Sequence, residues 1–303
     1  MFEKVLAPYL LVAAGFAAGK ILGLRKEAVA PLLIYFLTPV VVFAAVLRAP
    51  LEVRYIGLPA FFYLLCALVC WISFKLAQRP FGSPRSNLLG FACADANSGY
   101  FGIPVGIALF GENALSAIVL SSFGFILYEN TIGFYLTARG KHTAQESLIK
   151  VLRLPSVYAF ILGLVLNIFS LELHGPWLDL CTNIRGAYSV LGMMMIGLAI
   201  ADLEKFSIDL PFLSYAFAFK FIFWPLLVGL VLVLDAQTAS VFSLELRRVV
   251  FFMSTLPLAA NVVAIAALLK VEPERAAVAV LASTLLALLT VPLTNAWFSG
   301  MVW

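Results

Sequence analysis

An all-α membrane protein, with ten transmembrane helices in two inverted five-helix repeats and broken crossover helices at positions four and nine, is the fold this sequence predicts. Three observations carry the prediction. Of the 303 residues, 63% are hydrophobic and 12% charged, whereas soluble domains are nearer half apolar and a quarter charged. Apolar runs of bilayer-spanning length recur along the whole chain, separated by charge clusters. Lysine and arginine fall unequally in alternate loops, the pattern of a protein whose cytoplasmic loops hold the positive charge. The spans are expected to use nearly the whole chain, and the net charge of +4 belongs to those loops, so no nucleic-acid partner is implied.

The first span, 5–22, follows Glu3 and Lys4, and its apolar run is longer than that of a signal peptide, so it reads as a retained helix. The second, 28–47, and the third, 55–77, are continuous apolar stretches. Cys66 and Cys70 share a face of the third. Without histidine or further cysteine they make a poor metal site, and with Cys93 and Cys181 they read as small buried apolar residues. The fourth span, 87–110, contains "FACADANSGYFGIPVG", an unusually polar and glycine-rich stretch for a membrane helix. The fifth, 113–138, carries Glu129 and Asn130 in its second half.

Residues 139–153, "RGKHTAQESLIKVLR", form a polar linker loop between a first repeat at 1–138 and a second at 154–303. The sixth span is 154–171, and the seventh, 178–201, presents "GMMMIGLAIA" as a packing surface of soft and small residues. The eighth, 210–234, places Lys220 near its middle. The ninth, 246–269, contains "STLPLAAN", and the tenth is 275–298. Trp297 and Trp303 suit an interfacial belt, and the 26 phenylalanines are expected as lipid-facing bulk.

Thirteen lysines and arginines, Lys26 and Lys205 among them, lie in the loops after spans one, three, five, seven and nine, against six opposite, including Lys4, Arg54, Arg247 and Arg248. The odd loops and the linker are therefore expected in the cytoplasm and both termini outside. Five spans in each half make the halves opposite in orientation. "FGENALSAIVLSS" and "KVEPERAAVAVLAS" add a weak internal match, each a Glu-containing turn leading into an Ala/Val/Leu helix with a serine at like depth. Inverted repeats of this kind are typical of secondary transporters, whose substrate lies near the midplane where the repeats meet.

Spans four and nine correspond in the two repeats, and both are interrupted. Pro104 and Pro257 each remove a helical hydrogen bond, and Gly99, Gly102 and Gly106 weaken the helix around the first break. Freed backbone groups cannot face lipid, so they must be buried or line a cavity. Half-helix N-termini then suit an anion, and unwound carbonyls a cation. Asn97, Ser98, Gly99, Gly102, Pro104, Pro257 and Asn261 are the expected substrate-binding positions. Asp95, Glu129 and Lys220 are ionisable within spans, a costly placement that points to function, and with Asn130 they are the expected coupling group.

The stretch "NSGYFGIPVGIALFGENAL" resembles the auxin efflux carrier family, and "STLPLAANVVAIAALLKVEPERAAVAVLASTLLALLTVP" is similar to that family's ninth and tenth spans. The resemblance implies the fold shared with bile-acid/sodium symporters, with a scaffold domain, a core domain holding two crossing broken helices, and a homodimer. It places the family's crossover asparagine on Asn97, its glycine and proline on Gly102 and Pro104, and its second crossover proline on Pro257. Plant members have a proline where this chain has Ala96, and their acid in span three has no counterpart, so auxin is not the implied cargo.

Residues and resemblance together lead to the expectation of a secondary carrier in the cell membrane. It would move a small organic anion, a mono- or dicarboxylate such as malonate or malate, with proton or sodium coupling and no resident cofactor or metal. A sodium/proton-type antiporter using Asp95 and Glu129 and a non-transporting membrane sensor are the alternatives. A channel accounts less well for paired breaks. An intramembrane protease would leave Ser98 without a base, since His142 and His174 lie in loops.

Overall fold

A computed structural model describes residues 2–52, 55–202, 208–238 and 240–299, and among these every regular element is helical. Arg54, Lys205 and Trp303 lie outside the described residues, as do the side chains of Lys4, Tyr100 and Glu112. The helices are α1 Phe2–Leu22, α2 Lys26–Leu32, α3 Thr38–Leu47, α4 Leu58–Phe81, α5 Arg85–Ala94, α6 Ile103–Phe110, α7 Leu115–Tyr128, α8 Phe134–Arg139 and α9 Ala144–Leu152. There follow α10 Pro155–Ile168, α11 Pro176–Ala201, α12 Leu210–Phe217, α13 Trp224–Gln237, α14 Leu244–Ser254, α15 Asn261–Leu269 and α16 Pro273–Ser299. Among the described residues six continuous helices are long and apolar enough to cross a membrane, or seven if the bent pair α9 and α10 is counted as one. The chain is a multi-pass membrane protein.

Four helices widen locally into π turns, at Leu33–Leu37, Ser98–Gly102, Glu129–Gly133 and Ala218–Phe223. Three of these are followed, two residues on, by Pro39, Pro104 and Pro225. The reason is steric: a proline has no N–H to donate and its ring collides with the carbonyl four residues back. A wider turn moves that carbonyl aside and lets the helix continue.

The linker departs from its expected loop form. Thr143 and Glu146 make a reciprocal capping box that starts α9, and the T-x-x-E spacing was visible as "TAQE". The aromatic expectation also needs correction. Phe62, Phe91, Phe125, Phe134, Phe212 and Phe252 are fully buried, and leucines such as Leu64, Leu226 and Leu289 supply much of the exposed apolar surface. The four cysteines are free, and Cys66, Cys70 and Cys93 are buried.

α1 lies along α11, and α3 contacts α10 and α11; α4 packs on α5 and α7, while α14 meets α6, α7, α13 and α16. The contact of α1 with α11 is close enough to exclude any side chain. A Cβ at Gly197 would fall 2.0 Å from the Val12 carbonyl oxygen, and one at Gly15 would fall 2.1 Å from that of Met194. This is small-residue packing of the membrane type, which brings backbones together.

The odd-numbered loops meet at one end of the bundle. Lys26 is buried and bonds to Asp202 and to Glu274, the latter at 2.8 Å. Arg85 reaches Glu272 at 3.2 Å, Arg275 reaches Asp209 at 2.8 Å, and the Lys141 ammonium donates to the Lys270 carbonyl. Burial raises the Asp209 carboxyl, but the Phe212 N–H, Arg275 and Arg85 together hold it below its ordinary value. Arg247, counted among the six opposite charges, is buried and paired with Asp235 at 3.1 Å.

Gly197→Leu is expected to cost about 3 kcal/mol or more, because the displaced atoms are backbone. Gly186→Ala, on the same helix with nothing within 4 Å of its Cβ, should be neutral or gain about 0.5–1 kcal/mol. Thermal unfolding of the detergent-solubilised protein measures both, and equal losses would contradict the close helix contact.

Candidate functional site

The two interruptions lie in spans four and nine, as the sequence suggests, but they are built from the backbone rather than from the prolines alone. α5 stops at Ala94, Asp95 turns extended (φ −91°, ψ 161°), and Asn97 adopts φ −74°, ψ 62° before the chain re-enters a π turn at Ser98. Pro104 lies downstream, in the first turn of α6 and exposed. Its missing N–H falls inside the continuous helical run from Ser98 to Phe110, where the widened turn before it accommodates the ring. Span nine breaks after Ser254, and the helix resumes at Asn261. Residues 91–98 and 251–260 are buried throughout.

Each break answers the backbone demand of the other. The Asn97 N–H donates to the Pro257 carbonyl at 2.9 Å, and the Gly102 N–H returns to the Asn97 carbonyl at 2.9 Å. The Leu258 N–H donates to the Ser283 hydroxyl of α16 at 3.2 Å. Gly102 is small because a Cβ there would lie 2.9 Å from Leu256 Cδ1. Gly106 likewise faces Ile118 and Phe252. The turns that follow the two breaks share only a positive φ: Gly111 has φ 78°, ψ 178°, whereas Lys270 is left-handed at φ 56°, ψ 40°.

Two polar clusters include residues of these breaks. In the first, Asp95 Oδ1 accepts the Ala96 N–H at 2.9 Å, and the Lys220 ammonium donates to the Asp95 carbonyl at 2.7 Å. Asp95 and Lys220 are both 0% exposed, and among the described residues Asp95 Oδ2 is buried without a hydrogen-bond partner. In the second, Asn261 Nδ2 donates to Glu129 Oε1 and Oε2 at 2.9 and 3.2 Å, and lies 2.6 Å from the Tyr188 hydroxyl. Glu129 is buried, and the widened turn of Glu129–Gly133 carries it, as the turn of Ala218–Phe223 carries Lys220. Such insertions in helices recur at functional sites.

The structure thus brings together Asp95, Asn97, Ser98, Gly102, Pro257, Asn261, Glu129 and Lys220. It sets three expected positions apart. A Cβ on exposed Gly99 would meet nothing within 4 Å, Pro104 is exposed, and Asn130 ties to Ser156 of α10 at 2.6 Å.

Several contributors had no sequence signal strong enough to single out. Tyr188 sits in the apolar α11, and Ser283 is one serine among apolar neighbours of α16. Trp224, whose indole N–H donates to the Cys93 carbonyl at 2.8 Å, reads like any membrane tryptophan. The proline two residues beyond each of three π turns was the available clue. Among the described residues no group of three His, Cys, Asp or Glu side chains could hold a metal ion.

Residues 1–294 match the family model described as membrane transport protein. The chain is 25% identical over 212 residues to an uncharacterized transporter of Methanocaldococcus jannaschii, covering 66% of this chain and 68% of that protein. It is 26% identical over 211 residues to an uncharacterized transporter of Methanothermobacter thermautotrophicus, covering 65% and 67%.

Asn261→Ala strips the buried Glu129 carboxyl of its donor and should cost about 1–3 kcal/mol in unfolding experiments. Adding Glu129→Gln to that variant should recover part of the loss, because the unpaired acid is gone. Strictly additive losses would contradict the direct Asn261–Glu129 contact.

Proposed function

We propose that this chain, which belongs to the membrane transport protein family that its residues 1–294 match, is a secondary active carrier of a small organic anion working by alternating access. The observation that carries the reading is the mutual bond between the two breaks, Asn97 N–H to Pro257 carbonyl. It supports a crossing at which two half-helix starts, the turn at Ser98 and α15 at Asn261, meet. Helix starts leave N–H groups without intrahelical partners and carry positive dipole ends, which favours a carboxylate. A mono- or dicarboxylate such as malonate or malate suits such donors in size and charge.

In this reading ten helices, two of them broken, form two inverted repeats, 1–138 and 154–303 with the linker between, and the odd loops face the cytoplasm. The meeting of odd loops at one end supports that arrangement. The carrier acts as a homodimer in the cell membrane, with both termini outside. Asn97 and Ser98 contact the anion, while Asp95 Oδ2, buried and without a partner among the described residues, is the position for a coupled proton. Asn261 is the hinge of the second cluster: its amide already joins Glu129 to Tyr188, so a carboxylate arriving at α15 competes for the same donor.

The rival reading is a cation antiporter, favoured by the two buried acids Asp95 and Glu129 at one crossing. Asp95→Asn separates the two. Reconstituted in proteoliposomes with a panel of labelled carboxylates and no imposed gradient, the variant should retain exchange of labelled for unlabelled anion. It should lose accumulation driven by a pH gradient. Loss of exchange for every carboxylate in both proteins would overturn the anion carrier and leave the antiporter.

A further inference from the structure

Lys220 lies in "AFAFKFIF", at the middle of the apolar stretch Leu210–Gln237, and is among the largest fully buried side chains of the protein. A charge at that depth persists only where partners meet it. Among the described residues its ammonium has one hydrogen-bond acceptor, the Asp95 main-chain carbonyl at 2.7 Å. The Trp224 ring lies 5.1 Å away and the Phe125 ring 6.0 Å, within cation–π range. Trp224 is pinned in turn to the Cys93 carbonyl at 2.8 Å. The head of the lysine and the ring beneath it therefore both attach to the last turn of α5, where the first break begins.

The acceptor is no ordinary helical carbonyl. It belongs to Asp95, the extended residue with which the helix stops. Carbonyls freed in unwound transmembrane segments are the groups with which secondary transporters coordinate a sodium ion. Here that carbonyl is engaged by a side-chain cation, and Asp95 Oδ1 is engaged by the Ala96 N–H. The groups facing Lys220 are the Asp95 carboxyl and the thiols of Cys66 and Cys93. Among the described residues they leave a sodium ion one unengaged oxygen, Asp95 Oδ2, and no ring of oxygens around it, so the residues present do not fit one at this break.

We infer that the Lys220 ammonium is a tethered cation, standing at the first break where sodium-coupled carriers place an alkali ion. A covalently attached cation neither enters nor leaves, so the transport cycle takes no driving force from a sodium gradient through this position. That consequence rests on the carrier reading above, but the binding test does not, because it needs no substrate.

The test is thermal unfolding of the purified protein in sodium chloride, potassium chloride and choline chloride at equal ionic strength. The wild type should unfold at the same temperature in all three. Lys220→Ala exposes the Asp95 carbonyl, and Lys220→Gln removes the charge with a smaller change of volume. Either variant should unfold earlier in choline and gain on the order of 5 °C in sodium at saturation. A sodium-specific rise in the wild type would overturn the inference, and so would folded variants indifferent to sodium. If neither variant can be purified, the wild type decides: equal unfolding supports the tethered cation and a sodium-specific rise refutes it. Failure of carboxylate exchange in proteoliposomes would bear on the carrier reading alone.

Discussion

The fold depends on one constraint: a backbone released from helical pairing inside a membrane must find partners within the protein. Two apolar segments break off their helices, after Ala94 and after Ser254, and a direct bond joins the two breaks, from the Asn97 N–H to the Pro257 carbonyl. Around it the packing closes with residues chosen for size. Gly102 lets Leu256 approach, and Ser283 supplies the acceptor that Leu258 needs. Each unpaired buried group would otherwise cost several kcal/mol in hydrocarbon, so the breaks persist only as a pair. That mutual dependence distinguishes the crossing from a tolerated kink.

The polar chemistry of the interior is distributed by the same rule. Lys220 and the Asp95 carbonyl satisfy each other on one side of the crossing, and Asn261 satisfies Glu129 on the other. Tyr188 extends the second cluster to α11, which packs with α1 and α3 as well as with α15 and α16. A ligand that binds beside the breaks would therefore meet groups bonded to the end of α5, to α11 and to α15. At the end where the odd loops meet, Lys26 performs a related service, linking the start of α2 to Asp202 at the end of α11 and to Glu274 at the start of α16.

Much of the fold was legible in the sequence, because burial in lipid forces apolar runs and helical pairing and leaves few alternatives. The positions of the two breaks were readable from "NSGYFGIP" and "STLPLAAN", where polar residues and proline interrupt apolar helices. What the sequence did not reveal was how they are built. Pro104 marks the start of α6 while the break falls at Asp95–Asn97, since a proline disturbs the carbonyl four residues before it and here a wide turn intervenes. Glu129 and Lys220 were recognisable as buried charges, but their partners lie 132 and 125 residues away, and no local pattern encodes such pairs. The interior phenylalanines were misread because hydropathy alone does not distinguish a lipid-facing ring from a core ring.

The account stands or falls on whether the crossing recognises the anion. Asn97 is suited to the question because its N–H and carbonyl hold the crossing together while its side-chain amide can be removed independently. The measurement is equilibrium binding of labelled dicarboxylates to detergent-purified Asn97→Ala and wild type, with thermal unfolding recorded on the same samples. The account predicts affinity at least ~10-fold weaker in the variant, about the worth of one hydrogen bond to a charged group, with an unchanged unfolding temperature. Wild-type affinity in a stably folded Asn97→Ala would contradict it.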